Sequence, residues 1–306
     1  MISKYSLLGL KLLIVMLWGA FAASCSLKGS EDALPIENQF LGQTEPKIFK
    51  PTAYTDEQLA NYPDEVSRIL RAGKLRVAVY QKDRYPFFYE DDKGELRGSD
   101  IDLARDLAHQ FGVEVEFLRS AGSFNEVIEQ LAAGEADIAV SKLSMTLARA
   151  RKVLFSDPYL VLKQTLLINR LKLAELARAN DHPLAVIRVS GERIGVVEGT
   201  SYPAFAKELF PDQQQAAYTN GASMIAAVQS GEVLAAIYDE FELSTYQKMN
   251  PSSSLHMQYL SLENQSDPIA IAVAPDLPHL HRWINTYLLL HQGYVDHLLK
   301  KYEIIN

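Results

Sequence analysis

The chain has 306 residues, 48% of them hydrophobic, with a formal net charge of −8 and a single cysteine. That length supplies one large or two medium domains with real cores. The acidic balance excludes nucleic acid as a partner, and the lone cysteine excludes an internal disulfide and a cysteine-built metal site.

Lys4 and Lys11 precede the apolar run LLIVMLWGAFAAS (12–24), which is too short to span a bilayer comfortably and reads as an export signal over residues 1–24. Cys25 follows Ala22, Ala23 and Ser24 directly. This resembles a bacterial lipoprotein signal, in which the cysteine is lipidated and becomes the mature N-terminus, although such signals usually carry leucine where Ala22 stands. Counting instead from Tyr5 to Ser24 gives an uncleaved membrane anchor. Both readings put the folded part outside the cytoplasm. Residues 25–55, rich in Pro, Gly, Ser and charge, read as a tether.

The segment from Thr55 to Arg71 predicts one or two short helices interrupted at Pro63, with Gly73 as the stop. A strand follows over 75–80, and then a loop whose Asp92, Gly94 and Gly98 suggest a hairpin. Its rings, Tyr85, Phe87, Phe88 and Tyr89, either cover a ligand or belong to the core. Ser99 with Asp102 reads as a capping pair for a helix ending at Gly112. Val113, Val115 and Phe117 alternate as a strand, and Ser123 with Glu126 opens a helix that runs to Gly134. Next the apolar Ile138, Ala139 and Val140 stop at Ser141, Lys142 and Ser144, and if Thr146 caps a short helix, Arg149 stands at its third position. A hydroxyl, free N–H groups and a guanidinium would then converge on one anion; the alternative is a solvated arginine among turn residues.

The order strand, helix, strand, helix, strand predicts a parallel α/β sheet. The run 160–169 reads as a strand crossing to a second sheet, 171–179 as a helix, and 193–197 as a strand ending at Gly199, Thr200 and Ser201, with Pro203 in the first turn of the next helix. Aligning 127–142 with 224–239 at a constant offset of 97 matches Ile128 with Ile225, Gly134 with Gly231, Glu135 with Glu232 and Ala139 with Ala236. In this repeat Lys142 and Asp239 are equivalent, each just past a buried strand. A helix after Asp239, a second crossing strand over 269–274 and helices over 277–291 and 293–302 complete the chain.

Two such lobes face each other across a cleft where ligands bind. The cleft would hold Ser141, Lys142, Ser144, Thr146 and Arg149 from one side and Thr200, Ser201 and Asp239 from the other. A zwitterion suits it, and binding both of its ends would close the lobes. From LRVAV (75–79), YPF (85–87), GELRGSDIDLA (94–104), AAGEADIAVSKLSMTLAR (132–149), FSDPY (155–159), GVVEGTS (195–201) and AAIYDE (235–240), the chain resembles the extracytoplasmic solute-binding proteins for polar amino acids, the receptors of ABC importers.

The resemblance implies a two-lobed periplasmic-binding-protein fold of type II, each lobe a mostly parallel sheet flanked by helices, with two hinge crossings. Lobe 1 is expected over 56–166 and 272–306 and lobe 2 over 167–271. It also implies that Arg149 holds a carboxylate, that Ser144 and Ser201 assist it, that Asp239 takes an ammonium and that a ring near Tyr85 or Phe87 covers the side chain. Implied too are a small amino-acid or carboxylate ligand, an ABC permease in the inner membrane as partner, attachment to the membrane through a lipid on Cys25, and a monomer. Ser99, Arg84 and Lys142 depart from the family pattern. The extra positive charge points to an acidic ligand, whereas a Lys142–Asp239 pair across the closed cleft requires none; both stand. No catalytic residue, metal or cofactor is expected, since Glu198, Glu240 and the seven histidines show no catalytic or metal spacing. The rival readings are a prephenate-type dehydratase, a transglycosylase regulatory lobe and a sensor docked on a membrane receptor.

Overall fold

The computed structural model describes residues 53–178 and 181–305. The export signal, Cys25 and all of the tether up to residue 52 lie outside them, as does Ala179, the last residue of the helix expected over 171–179. Among the described residues no helix is long and apolar enough to cross a membrane.

The chain opens with α1 (Asp56–Leu59), capped reciprocally by Thr55 and Gln58, and α2 (Asp64–Ala72), which starts after Pro63 and ends at Gly73 in the left-handed region. β1 (Lys74–Tyr80) follows, then the small hairpin β2 (Tyr89–Glu90) and β3 (Leu96–Arg97), α3 (Ser99–Phe111), β4 (Glu114–Ala121), α4 (Phe124–Ala132) and β5 (Ile138–Ala139). After a single 3-10 turn, Arg149–Arg151, comes the long β6 (Leu154–Asn169). The next part holds α5 (Arg170–Leu176), α6 (Pro183–Val189), β7 (Ile194–Val197), α7 (Tyr202–Leu209), β8 (Gln215–Tyr218), α8 (Gly221–Ser230), β9 (Ala235–Asp239) and α9 (Glu240–Met249). The chain returns through β10 (Met257–Val273) to α10 (Pro278–Leu290) and α11 (Gln292–Lys301).

The eight strands of the main sheet lie in the order β4-β1-β5-β10-β6-β9-β7-β8. β1 is parallel to β4 and β5, and β7 to β8 and β9, while β6 and β10 run antiparallel through the middle. Two mostly parallel α/β lobes are thus joined by the two central strands. Each lobe has its own hydrophobic cluster. Leu160, Leu162 and Ile269 belong to the first, and Leu166, Leu167 and Leu262 to the second.

The crossing strands are longer than their apolar runs suggest. β6 begins at Leu154, ahead of Ser156 and Pro158, because Ser156 Oγ accepts the Ile271 N–H at 3.0 Å where the ladder shifts register. A side chain there substitutes for a ladder carbonyl. The Ser99–Asp102 cap is not formed. Gly98, at φ +124°, occupies the cap position, Ser99 is buried in the first turn, and Asp102 accepts from the Tyr302 hydroxyl and the Lys301 ammonium. No α-helix follows Thr146; its hydroxyl accepts the Arg149 N–H at 3.2 Å ahead of the 3-10 turn.

Candidate functional site

The segments that follow β5 and β7, together with the end of β9, line a cavity of about 30 Å³. Of the expected residues, Lys142, Ser144, Arg149, Thr200, Ser201 and Asp239 all line it. The other four do not. Ser141 is fully buried behind it, its hydroxyl accepting the Tyr80 N–H at 3.0 Å. Phe87 is core, edge-on to Phe241 at 5.2 Å, and Tyr85 is 70% exposed against Tyr89. Thr146 lines a separate, mainly apolar groove with Leu147 and Phe155.

Lys142 is the organising residue. Its backbone has φ +47°, a left-handed conformation that costs a non-glycine residue about 1–2 kcal/mol. The Asp100 carboxylate receives its N–H at 2.6 Å. So held, its side chain crosses the cleft, and Nζ lies 3.0 Å from Asp239 Oδ2 and 3.0 Å from Glu242 Oε1. The ammonium also lies 4.9 Å from the centre of the Phe87 ring and 5.8 Å from that of Phe241, within cation–π range. Burial works to lower its pKa, but Asp239 and Glu242 outweigh it and the pKa is raised. The two members of the repeat at offset 97 therefore meet as an ion pair. At 7% and 3% side-chain exposure it is not a surface bridge, and removing one partner would strand a buried charge.

Arg149 sits on the other side. One guanidinium nitrogen donates to the Ser144 carbonyl at 3.0 Å and another to Asn125 Oδ1 at 3.0 Å, both neutral acceptors. Burial lowers its pKa to about 10, opposed by Asp267, so it stays protonated at neutral pH. Ser201 Oγ donates to Ser144 Oγ at 2.9 Å, a second bond between the lobes. Thr200 turns its hydroxyl to the Val197 carbonyl at 2.6 Å and accepts the Tyr202 N–H at 3.2 Å, which fixes the start of α7.

Sequence reasoning missed Tyr202, Tyr238, Glu242, Asp267 and Phe124, which also line the cavity. Tyr202 donates to Asp267 Oδ2 at 2.8 Å and lies 3.2 Å from Asp239 Oδ2, bridging two carboxylates. Burial pushes the Asp267 carboxyl up to about 6. Glu242 was findable, because it stands three residues after Asp239 on one helix face. Asp267 was not, because ahead of IAIAVA it reads as a strand boundary. Arg84 lies at the edge of the cavity, its guanidinium over the rings of Tyr80 and Phe124 at 5.4 and 6.0 Å. Arg84, Phe124 and Thr200 also border a neighbouring cavity of about 420 Å³ with Lys82 and Glu198.

Two α/β lobes on paired crossing strands, with charged groups from both lobes gathered at the strand ends, define a two-lobed ligand-binding protein. The profile of the bacterial extracellular solute-binding proteins, family 3, matches residues 75–302, and the chain belongs to that family. It is 27% identical over 161 residues to the histidine-binding periplasmic protein of Escherichia coli (strain K12), covering 52% of this chain and 58% of that protein. The chain thus spans little more than half the length of that relative. It is 37% identical over 95 residues to the cyclohexadienyl dehydratase of Pseudomonas aeruginosa, 31% of this chain and 34% of the enzyme. Among solved structures, an ancestral amino acid-binding protein described as a precursor of cyclohexadienyl dehydratase superposes with a TM-score of 0.63 at 28% identity, covering 78% of this chain and 98% of its own.

Proposed function

We propose that this protein is the extracytoplasmic receptor of an ABC importer, which captures a small amino acid or related carboxylate by closing its lobes and hands it to a permease in the inner membrane. The observation that carries this reading is Arg149, a buried guanidinium that among the described residues bonds only to neutral oxygens, beside the hydroxyls of Ser144 and Ser201. A buried cation of this kind gains most from an anionic partner. The histidine-binding relative and the ancestral amino acid-binding protein support the solute class.

In this reading a lipid on Cys25 and the tether over 25–55 keep the lobes at the membrane, and the protein works as a monomer. Residues 56–166 and 272–306 form one lobe and 167–271 the other. The changes of hydrophobic cluster between Leu162 and Leu166 and between Leu262 and Ile269, each within a few residues of a proposed boundary, support this division.

Arg149→Ala should weaken binding of the solute that co-purifies by a hundredfold or more, about 3 kcal/mol, with the circular dichroism unchanged. Unchanged affinity in calorimetric titration would mean that the ligand sits elsewhere. Asp267 favours a second reading, an enzyme on the same fold, because a buried carboxyl held near 6 in a cleft can act as a proton donor. Incubation with prephenate decides it: aromatic product would make the protein a dehydratase, and none is expected.

A further inference from the structure

The two sides of the cleft differ in what they lack. Asp239 is saturated: Oδ1 accepts the Glu242 N–H at 2.9 Å, and Oδ2 faces the Lys142 ammonium at 3.0 Å and the Tyr202 hydroxyl at 3.2 Å. Glu242 shares the same ammonium at 3.0 Å. Both carboxylates therefore have their cation already, and it belongs to the chain. Arg149 has no carboxylate within ion-pair distance among the described residues and donates to two neutral oxygens. Arg84, at the cavity edge, adds a second cation whose described side-chain hydrogen bond goes to the Asp83 carbonyl.

We propose that Lys142 supplies from within the chain the positive charge that Asp239 and Glu242 would otherwise take from a ligand, so that the cleft selects small carboxylates without an α-ammonium, such as 2-oxo acids, 2-hydroxy acids and simple dicarboxylates. The inference rests on the reading of this cleft as the ligand site and chooses within the solute class proposed above. An amino acid's carboxylate finds Arg149, but its ammonium must displace Lys142 from two carboxylates and find that lysine a new place. The lysine does not swing freely. Its ammonium lies over two phenylalanine rings, its side chain is 7% exposed, and its backbone is pinned at φ +47° by the bond to Asp100. A ligand without the ammonium meets no such competition. Charge balance agrees for the pair that would take an ammonium, since Asp239 and Glu242 share the Lys142 ammonium, whereas Arg149 is in the field of Asp267 but has no carboxylate within ion-pair distance among the described residues.

The test is calorimetric titration of the full chain with matched pairs that differ at the α-carbon: L-glutamate against 2-oxoglutarate and L-alanine against L-lactate. In the wild type at least one oxo or hydroxy acid should bind tenfold or more tighter than its amino acid. In Lys142→Asn, whose side chain tolerates the left-handed backbone and leaves Asp239 open, the order should invert. Lys142→Met, which keeps an apolar stem on the two rings, should invert it as well and covers the case in which the asparagine variant fails to fold. Wild-type protein that binds the amino acids more tightly, or folded variants that keep the wild-type order, would overturn the inference and leave the receptor reading intact. Binding of neither member of any pair, with or without Lys142, would overturn both.

Discussion

Asp100 is fully buried at the start of α3, where its carboxylate accepts the Tyr159 hydroxyl at 2.9 Å and the Lys142 N–H at 2.6 Å, and burial pushes its pKa up to about 7. Because the folded value lies above the ordinary 3.8, the native state holds this proton more tightly than the unfolded chain. Its contribution is full below about pH 4, is lost as pH rises through about 7, and could reach roughly 4 kcal/mol. Asp100→Asn should flatten the fall in stability between about pH 4 and 7, as read from urea midpoints. Asp267 follows the same sign with a value of about 6, facing Tyr202, Asp239, Lys142 and Arg149. An anion on Arg149 repels the charged form of Asp267, so affinity for an anionic ligand should fall as pH rises through about 6. Titrations at pH 5 and 7.5 check this, and equal affinities would count against Asp267 as a neighbour of the bound charge.

The loop between β1 and α3 is the element on which the placement of Lys142 depends, because it carries Phe87 beneath the ammonium. Gly98 closes that loop at φ +124°, and a Cβ there would come within 2.2 Å of the Phe87 carbonyl oxygen. Backbone cannot yield as a flexible side chain can, so Gly98→Ala should destabilise the fold by more than about 2 kcal/mol, measured as a lower urea midpoint. The glycine was legible as part of a hairpin signal, but its role in seating Phe87 was not. The hydrophobic periods of α4 and α8 were legible as well, and so was the repeat that relates them. The lengths of β6 and β10 were not, since Ser156, Pro158 and Asp267 interrupt the apolar runs from which strands are read. What carries a strand through such residues is a partner strand and a side-chain hydrogen bond from far along the chain.

At the scale of the whole molecule, the lobes meet through Lys142 with Asp239 and through Ser144 with Ser201. The hydroxyl pair, 2.9 Å apart, offers a direct test of closure. A Ser144→Cys/Ser201→Cys variant should form a disulfide on oxidation and slow ligand exchange at least tenfold, with reductant restoring the rate. Oxidation that leaves exchange unchanged would mean that ligand enters without the lobes parting. The sequence by itself determined the α/β class, the two lobes and the family, and it named six residues that line the cavity, because apolar period, glycine stops and motif order are local properties of the chain. Only the tertiary structure decided the rest. It put Phe87 in the core, Tyr85 in solvent and Ser141 buried against the end of β1, and it joined Lys142 to Asp239 and Glu242, because burial and ion pairing depend on groups up to 100 residues apart coming within 3 Å of one another.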